Sequence, residues 1–216
     1  MGFFDRDETS LKVCGVTLRS DAERLVEMGV DAVGFNFWEG SKRYLNPKDA
    51  KWAEVLAGGI LRVGVFVNEE SDLAYRLYGD GLIDVVQLHG DEGPEVTGRF
   101  VEAGIPVIKA VGVRAAEDVD AAGRHRADAI LLDAYAPRVF GGTGETFDWG
   151  LAIDFKRKFP EEVVILAGGI TALNVKAAVR EVRPAAVDVA SGAEIEPGVK
   201  DFDKVAALLV ACRGVL

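Results

Sequence analysis

Two residues of this chain could divide a proton-transfer reaction between them. Asp133 closes the apolar run AILLD, and beyond it a glycine-rich loop containing one proline leads to the cluster Phe147-Asp148-Trp149. A buried strand would deliver a single carboxylate to a mobile rim in this way. Cys14 closes a second apolar run, LKVC. A carboxyl whose pKa is raised by burial can donate a proton near neutrality, and a thiol can accept one once it is ionised. Ionisation requires a pKa below the ordinary ~8.5 or a nearby cation. Taken singly, a Cys at a strand end is more often a small buried hydrophobe, and an Asp there a turn or cap residue. The pair is what points to acid–base chemistry.

Other residues could hold a ligand beside that pair. Gly168-Gly169 and Ser191-Gly192 would let backbone N–H groups approach phosphate oxygens closely, although both dipeptides are also ordinary turn formers. Arg43, in SKRYLNP, could grip a carboxylate with two parallel bonds or be a solvated charge beside Lys42. His89, in QLHGDE, could line a pocket or serve a turn. With Asp91 and Glu92 beside it, one His does not make a metal site, and neither CxxC nor a dinucleotide motif is present, so no cofactor or metal is expected.

The elements that position these residues follow from periodicity. Apolar runs at Leu11–Cys14, Ala32–Phe37, Leu61–Val67, Asp84–Leu88, Val107–Val111, Ala129–Asp133, Val163–Ala167 and Ala186–Val189 alternate with helical patterns. Several runs are continuously apolar, as parallel strands covered on both faces are. Ser20 with Glu23 matches a capping box, and Asn46-Pro47 an N-cap followed by the first helical position. Val175, Ala178, Val179 and Val182 form one helical stripe, and Val205, Leu208, Leu209 and Cys212 another. Eight βα units predict a (β/α)8 barrel of the α/β class, with a doubly wound open sheet as the alternative. In a barrel the active site lies where strands end. Cys14, Asn36, Arg43, Asn68, Gln87, His89, Lys109, Asp133, Gly168-Gly169, Asp188 and Ser191-Gly192 all fall at or just after strand ends. Cys212 would lie at the bottom, too far from Cys14 for a disulfide.

Composition narrows the partners. The 216 residues carry a formal net charge of -10, which argues against a nucleic-acid surface and leaves room for a small anionic substrate held by local basic groups. Nothing resembles a linker, so one domain is expected over residues 1–216. No apolar run has the length of a membrane span, and MGFFDRDETS lacks the apolar core of a signal peptide, so the expected location is cytoplasmic. A Met-Gly start raises N-myristoylation, but Arg6 stands where Ser or Thr would be wanted.

The ordered motifs KVCGVT, DAVGFNF with SKRYLNP, RVGVFVN, VVQLHGDE, VIKAVGV, LLDA, GGTGETFDW, LAGGI with NV, and VDVASGAE with GVKD resemble the phosphoribosylanthranilate isomerase family of tryptophan biosynthesis. The resemblance runs from about Leu11 to Arg213 and leaves residues 1–10 as an N-terminal extension. It implies an Amadori rearrangement of N-(5'-phosphoribosyl)anthranilate without metal or redox cofactor. Asp133 matches the general acid, Cys14 the general base, and Arg43 a residue near the anthranilate carboxylate. Gly169, Ser191 and Gly192 match phosphate contacts, while His89 and Asp188 match positions lining the substrate pocket. Ala190 departs from a Ser common in the family. Related isomerases of histidine biosynthesis, single-function or bifunctional, carry an Asp where this chain has Cys14. A non-catalytic phosphate-binding barrel is the remaining alternative, and the presence of both Cys14 and Asp133 speaks against it. The family occurs as monomers and homodimers. Gly141, Gly142 and Gly144 would let the loop after Asp133 close over the substrate.

Overall fold

Eight short runs of aliphatic and β-branched residues pair side by side. They are β1 (Ser10–Cys14), β2 (Ala32–Asn36), β3 (Leu61–Phe66), β4 (Val85–Leu88), β5 (Val107–Val113), β6 (Ala129–Ala134), β7 (Val164–Leu166) and β8 (Ala186–Val189). The structure is a computed structural model that describes residues 8–69, 72–134 and 148–214. Every neighbouring pair of strands is parallel, and β8 pairs with β1, so the sheet closes into a barrel. That closure excludes the open, doubly wound alternative. The glycines proposed for loop closure, Gly141, Gly142 and Gly144, lie outside the described residues.

Helices cover the outside. They are α1 (Arg19–Glu27), a 3-10 helix over Pro47–Leu56, α2 (Leu73–Gly79), α3 (Pro94–Glu102), α4 (Ala116–Ala122), α5 (Trp149–Lys158), α6 (Val175–Val182) and α7 (Phe202–Arg213). A short 3-10 turn at Ser191–Ala193 and an antiparallel pair, β9 (Glu194–Glu196) with β10 (Val199–Lys200), lie between β8 and α7. Both expected stripes are buried: Val175, Ala178, Val179 and Val182 on α6, and Val205, Leu208, Leu209 and Cys212 on α7. The two thiols, Cys14 and Cys212, are unbridged. No helix among the described residues is long and apolar enough to cross a membrane.

Two local expectations change. Asn46 does cap its helix, its side chain accepting from Lys48 N at 3.0 Å, but the helix that follows winds as 3-10. The capping box at Ser20 and Glu23 is absent. Helix α1 begins at Arg19 behind Leu18, with no side-chain cap. Its start is held from elsewhere in the chain, because the carboxylate of buried Asp21 accepts from Lys200 N at 2.9 Å. A tertiary bond has replaced the local one.

Strand alternation sorts the side chains. Ala32, Val63, Val85, Ile108, Ala110, Ala129, Leu131, Ile165 and Ala186 pack together as the barrel interior, while their neighbours Val33, Val86, Val107, Ile130 and Val187 pack under the helices. Successive residues of a strand point to opposite faces, so Lys12 and Cys14 face inward and Leu11 and Val13 outward. At the bottom of the barrel, three carboxylates that precede even-numbered strands each accept an N–H from the first or second residue of the strand before. Asp31 accepts from Leu11 N (2.9 Å), Asp84 from Arg62 N (2.9 Å) and Asp128 from Val107 N (2.8 Å). These bonds satisfy donors that the barrel rim would otherwise leave buried.

Candidate active site

Strand β1 delivers Cys14 to the barrel mouth opposite Gly34 of β2. The glycine is required by space. A Cβ there would stand 2.7 Å from the Cys14 sulfur and 3.1 Å from the Lys12 ammonium. Lys12 lies two residues before Cys14 on the same face and is fully buried. Its Nζ donates to Asp188 Oδ1 at 2.8 Å, across the β1–β8 pairing in which Lys12 is opposite Asp188. Its Nζ and the Cys14 sulfur thus border the same small space, and the ammonium favours the thiolate. Burial pushes the Cys14 thiol above its ordinary 9.0. Lys12, and more distantly Lys200, oppose that rise, whereas Asp188 adds to it. Burial works against charge on Lys12 too, but Asp188 and Cys14 outweigh it and hold the ammonium protonated.

Asp133, three strands round the barrel, faces the same cavity and is 7% exposed. Its Oδ1 accepts from Ala134 N at 2.8 Å, and its Oδ2 lies 3.2 Å from His89 Nε2. His89 Nδ1 in turn lies 2.9 Å from Nε2 of buried Gln87. Gln87 and His89 are two apart along the β4 direction, so alternation points both the same way. Behind Asp133, Gly168 adopts φ +79°, and a Cβ on it would lie 2.6 Å from Ala134 N. A glycine at this point lets the turn after β7 press against the end of β6.

Arg43 grips a carboxylate in the bidentate manner the sequence suggested, but that carboxylate belongs to the chain itself. Its guanidinium forks onto the Glu194 carboxylate, with Nη2 to Oε2 at 2.6 Å and Nε to Oε1 at 2.9 Å. Its side chain is 12% exposed, which rules out a solvated rim charge. Lys200 Nζ completes the network, donating to Glu194 Oε1 and to the Cys14 carbonyl, each at 2.6 Å. Burial by itself would raise the Glu194 pKa, but the bonds from Arg43 and Lys200 prevail and hold it below the usual carboxylate value. Arg43 still lines the cavity together with Cys14, Asn36, His89, Asp133, Asp188, Gly169 and Ser191.

Gly192 sits just behind that lining. A Cβ there would lie 2.0 Å from the Ile170 carbonyl oxygen, so the turns after β7 and β8 touch through a glycine. Gly192→Ala is expected to force them apart, at about 1–3 kcal/mol for an overpacked contact. Thermal unfolding should register a melting temperature lower by roughly 2–4 °C per kcal/mol. An unchanged melting temperature would show that the turn can yield.

Two polar residues expected at the mouth are elsewhere. Lys109 falls between Ile108 and Ala110, which face the interior, and so points outward. It donates to Gly90 O at 2.7 Å and Glu92 Oε2 at 2.8 Å. Asn68 accepts from Asp91 N at 2.7 Å through Oδ1. Both brace the loop that carries His89. Conversely, Lys12, Glu194 and Lys200 belong to the site although their types alone did not mark them. The legible signal was Lys12, a cation inside an apolar strand at an even spacing from Cys14. Among the described residues no group of three or more His, Cys, Asp or Glu could hold a metal ion.

The profile of the N-(5'phosphoribosyl)anthranilate (PRA) isomerase family matches residues 11–211. A relative of that name from Thermotoga maritima is 43% identical over 206 residues, covering 95% of this chain and 98% of its own. The crystal structure of phosphoribosyl anthranilate isomerase from Thermotoga maritima superposes with a TM-score of 0.87 at 41% identity, over 95% of this chain and 99% of that one. Another solved phosphoribosyl anthranilate isomerase is in complex with reduced 1-(o-carboxyphenylamino)-1-deoxyribulose 5-phosphate. It superposes with a TM-score of 0.84 at 39% identity, over the same shares of the two chains. With a family profile spanning nearly all of the barrel and relatives similar along their whole length, the chain belongs to the N-(5'-phosphoribosyl)anthranilate isomerase family.

Proposed function

We propose that this chain catalyses the Amadori rearrangement of N-(5'-phosphoribosyl)anthranilate to 1-(2-carboxyphenylamino)-1-deoxyribulose 5-phosphate, with Asp133 as acid and Cys14 as base. The observation that carries this assignment is that a carboxyl and a thiol from strands three apart face one cavity, which the turns after β7 and β8 also line. Asp133 protonates the ribose ring oxygen as the bond from that oxygen to C1' breaks, leaving a Schiff base. The Cys14 thiolate removes the C2' proton, and the C2'–H electrons move toward C1' and nitrogen to give an enolamine. Loss of the C2' hydroxyl proton and gain of one at C1' then yield the ketone. The proton that Cys14 gains balances the one that Asp133 gives up.

The Gln87–His89–Asp133 chain supports the acid role. Gln87 Oε1 is buried with no partner among the described residues. Turning that amide would let the oxygen accept from His89 Nδ1–H, leaving Nε2 to accept from a protonated Asp133. Amide orientation and histidine tautomer are assigned by such networks. In this reading Arg43, held by Glu194, binds the anthranilate carboxylate, and Gly169, Ser191 and Gly192 bind the phosphate through their backbone; the cavity lining by Arg43, Gly169 and Ser191 supports it. Asp188 is among the residues that line the pocket. The test is the loss of anthranilate fluorescence with purified protein and freshly made phosphoribosylanthranilate. Decay no faster than the spontaneous background would overturn the activity.

A further inference from the structure

We infer that Lys12, buried beneath the substrate cavity, is a positioning residue that stabilises the Cys14 thiolate, with Asp188 anchoring its ammonium. The inference rests on Cys14 as the base and adds the group that makes a thiolate attainable there. A fully buried lysine is rare unless paired. Here the ammonium is fixed by Asp188 Oδ1 at 2.8 Å and, like the sulfur, borders the space that a Gly34 Cβ would fill. Gly34 leaves both groups room, since any Cβ on it would intrude on the sulfur and the ammonium together. The strand pleat supplies the rest, for residues two apart on β1 must share a face.

The charged groups around the sulfur have distinct parts. Lys200, from β10, donates to the Cys14 carbonyl but shares its charge with Glu194. Arg43, from the loop after β2, shares that one carboxylate with Lys200 and is turned toward it rather than toward the sulfur. Asp188, from β8, is an anion and opposes thiolate formation by itself. Its contribution is to hold Lys12. Asp133, with His89 against it, lines the cavity on the β6 side. Lys12 is the cation that stands beside the sulfur on the inner face of β1. In the ionisation the S–H bond breaks, the electron pair stays on sulfur and the proton leaves to solvent. During turnover the thiolate takes the substrate proton and returns to the thiol.

The experiment reads the thiol directly. Cys212→Ala leaves Cys14 as the sole cysteine of a chain that has two. In that background, the rate of iodoacetamide alkylation is followed from pH 7 to about pH 11.5, a range wide enough to take in a raised thiol midpoint. Lys12→Met is expected to slow alkylation at pH 8 about tenfold and to move the midpoint up by about one pH unit. The base limb of the kcat/KM profile should move with it, which a merely structural lysine would not cause. Because Lys12→Met strands Asp188 as a buried charge, Lys12→Met/Asp188→Leu provides a second variant with neither charge left alone. Its midpoint is also expected to rise. In the unmodified protein, the 15N shift of Lys12 Nζ should inflect at the Cys14 midpoint. An unchanged alkylation profile in either folded variant, or a Lys12 signal indifferent to thiol ionisation, would overturn the inference. None of these thiol readings needs turnover, so a protein that fails to isomerise while Lys12→Met shifts the thiol defeats the proposed activity alone.

Discussion

Asp133→Asn is expected to lower kcat by about 10²- to 10⁴-fold, the range a positioned general acid contributes. Binding and fold should survive. Asparagine has nearly the same shape, and its side-chain oxygen can still accept from Ala134 N, the bond that now holds Oδ1 at 2.8 Å. An amide cannot supply the proton that opens the ribose ring. The loss should therefore fall on kcat with KM little changed, as for an interaction made only in the transition state. Steady-state kinetics on the folded variant decide the matter. Near-normal kcat would remove Asp133 from the mechanism and leave His89, its neighbour at 3.2 Å, as the group to consider.

Cys14→Ala should cost a similar factor, and it carries a pH signature. Burial, the largest influence on Cys14, pushes its thiol up from its ordinary value, so the thiol stays mostly protonated near neutrality and the thiolate fraction rises with pH. A group that acts as base only when deprotonated gives a rate that rises about tenfold per pH unit below its pKa. The wild-type kcat/KM should climb in this way between pH 7 and pH 9, and the residual rate of Cys14→Ala should lack the same climb. The variant should fold, because the Lys12–Asp188 pair does not depend on the sulfur. A profile of the same shape in both proteins would assign the ionisation to another group.

Much of the architecture was legible in local patterns. Continuous apolar runs at β6 and β7 announced covered parallel strands, and the stripes on α6 and α7 announced the faces that pack on them. The same alternation that placed Cys14 inward also placed Lys109 outward, but from sequence the phase of β5 was not decided. Its run VIKAV is apolar on both faces, so either phase would serve. The 3-10 winding of Pro47–Leu56 was hidden for a related reason. A Pro at the first helical position favours entry into a helix of either kind. At α1, the bond from Asp21 to Lys200 overrode the local cap, as tertiary contacts commonly override local preference.

By itself, the sequence determined the barrel and singled out Asp133 and Cys14 as the candidate acid and base, because periodicity and the order of motifs are local properties that a single chain carries openly. Tertiary structure decided who stands beside them. Lys12 meets Asp188 across 176 positions, and Arg43 meets Glu194 across 151. Such encounters require the barrel to close with one particular register between β1 and β8. They depend on which side chain lies opposite which, a property of the closed sheet that no single strand contains. The environment of Cys14 is accordingly the part of the chemistry that only the folded chain specifies.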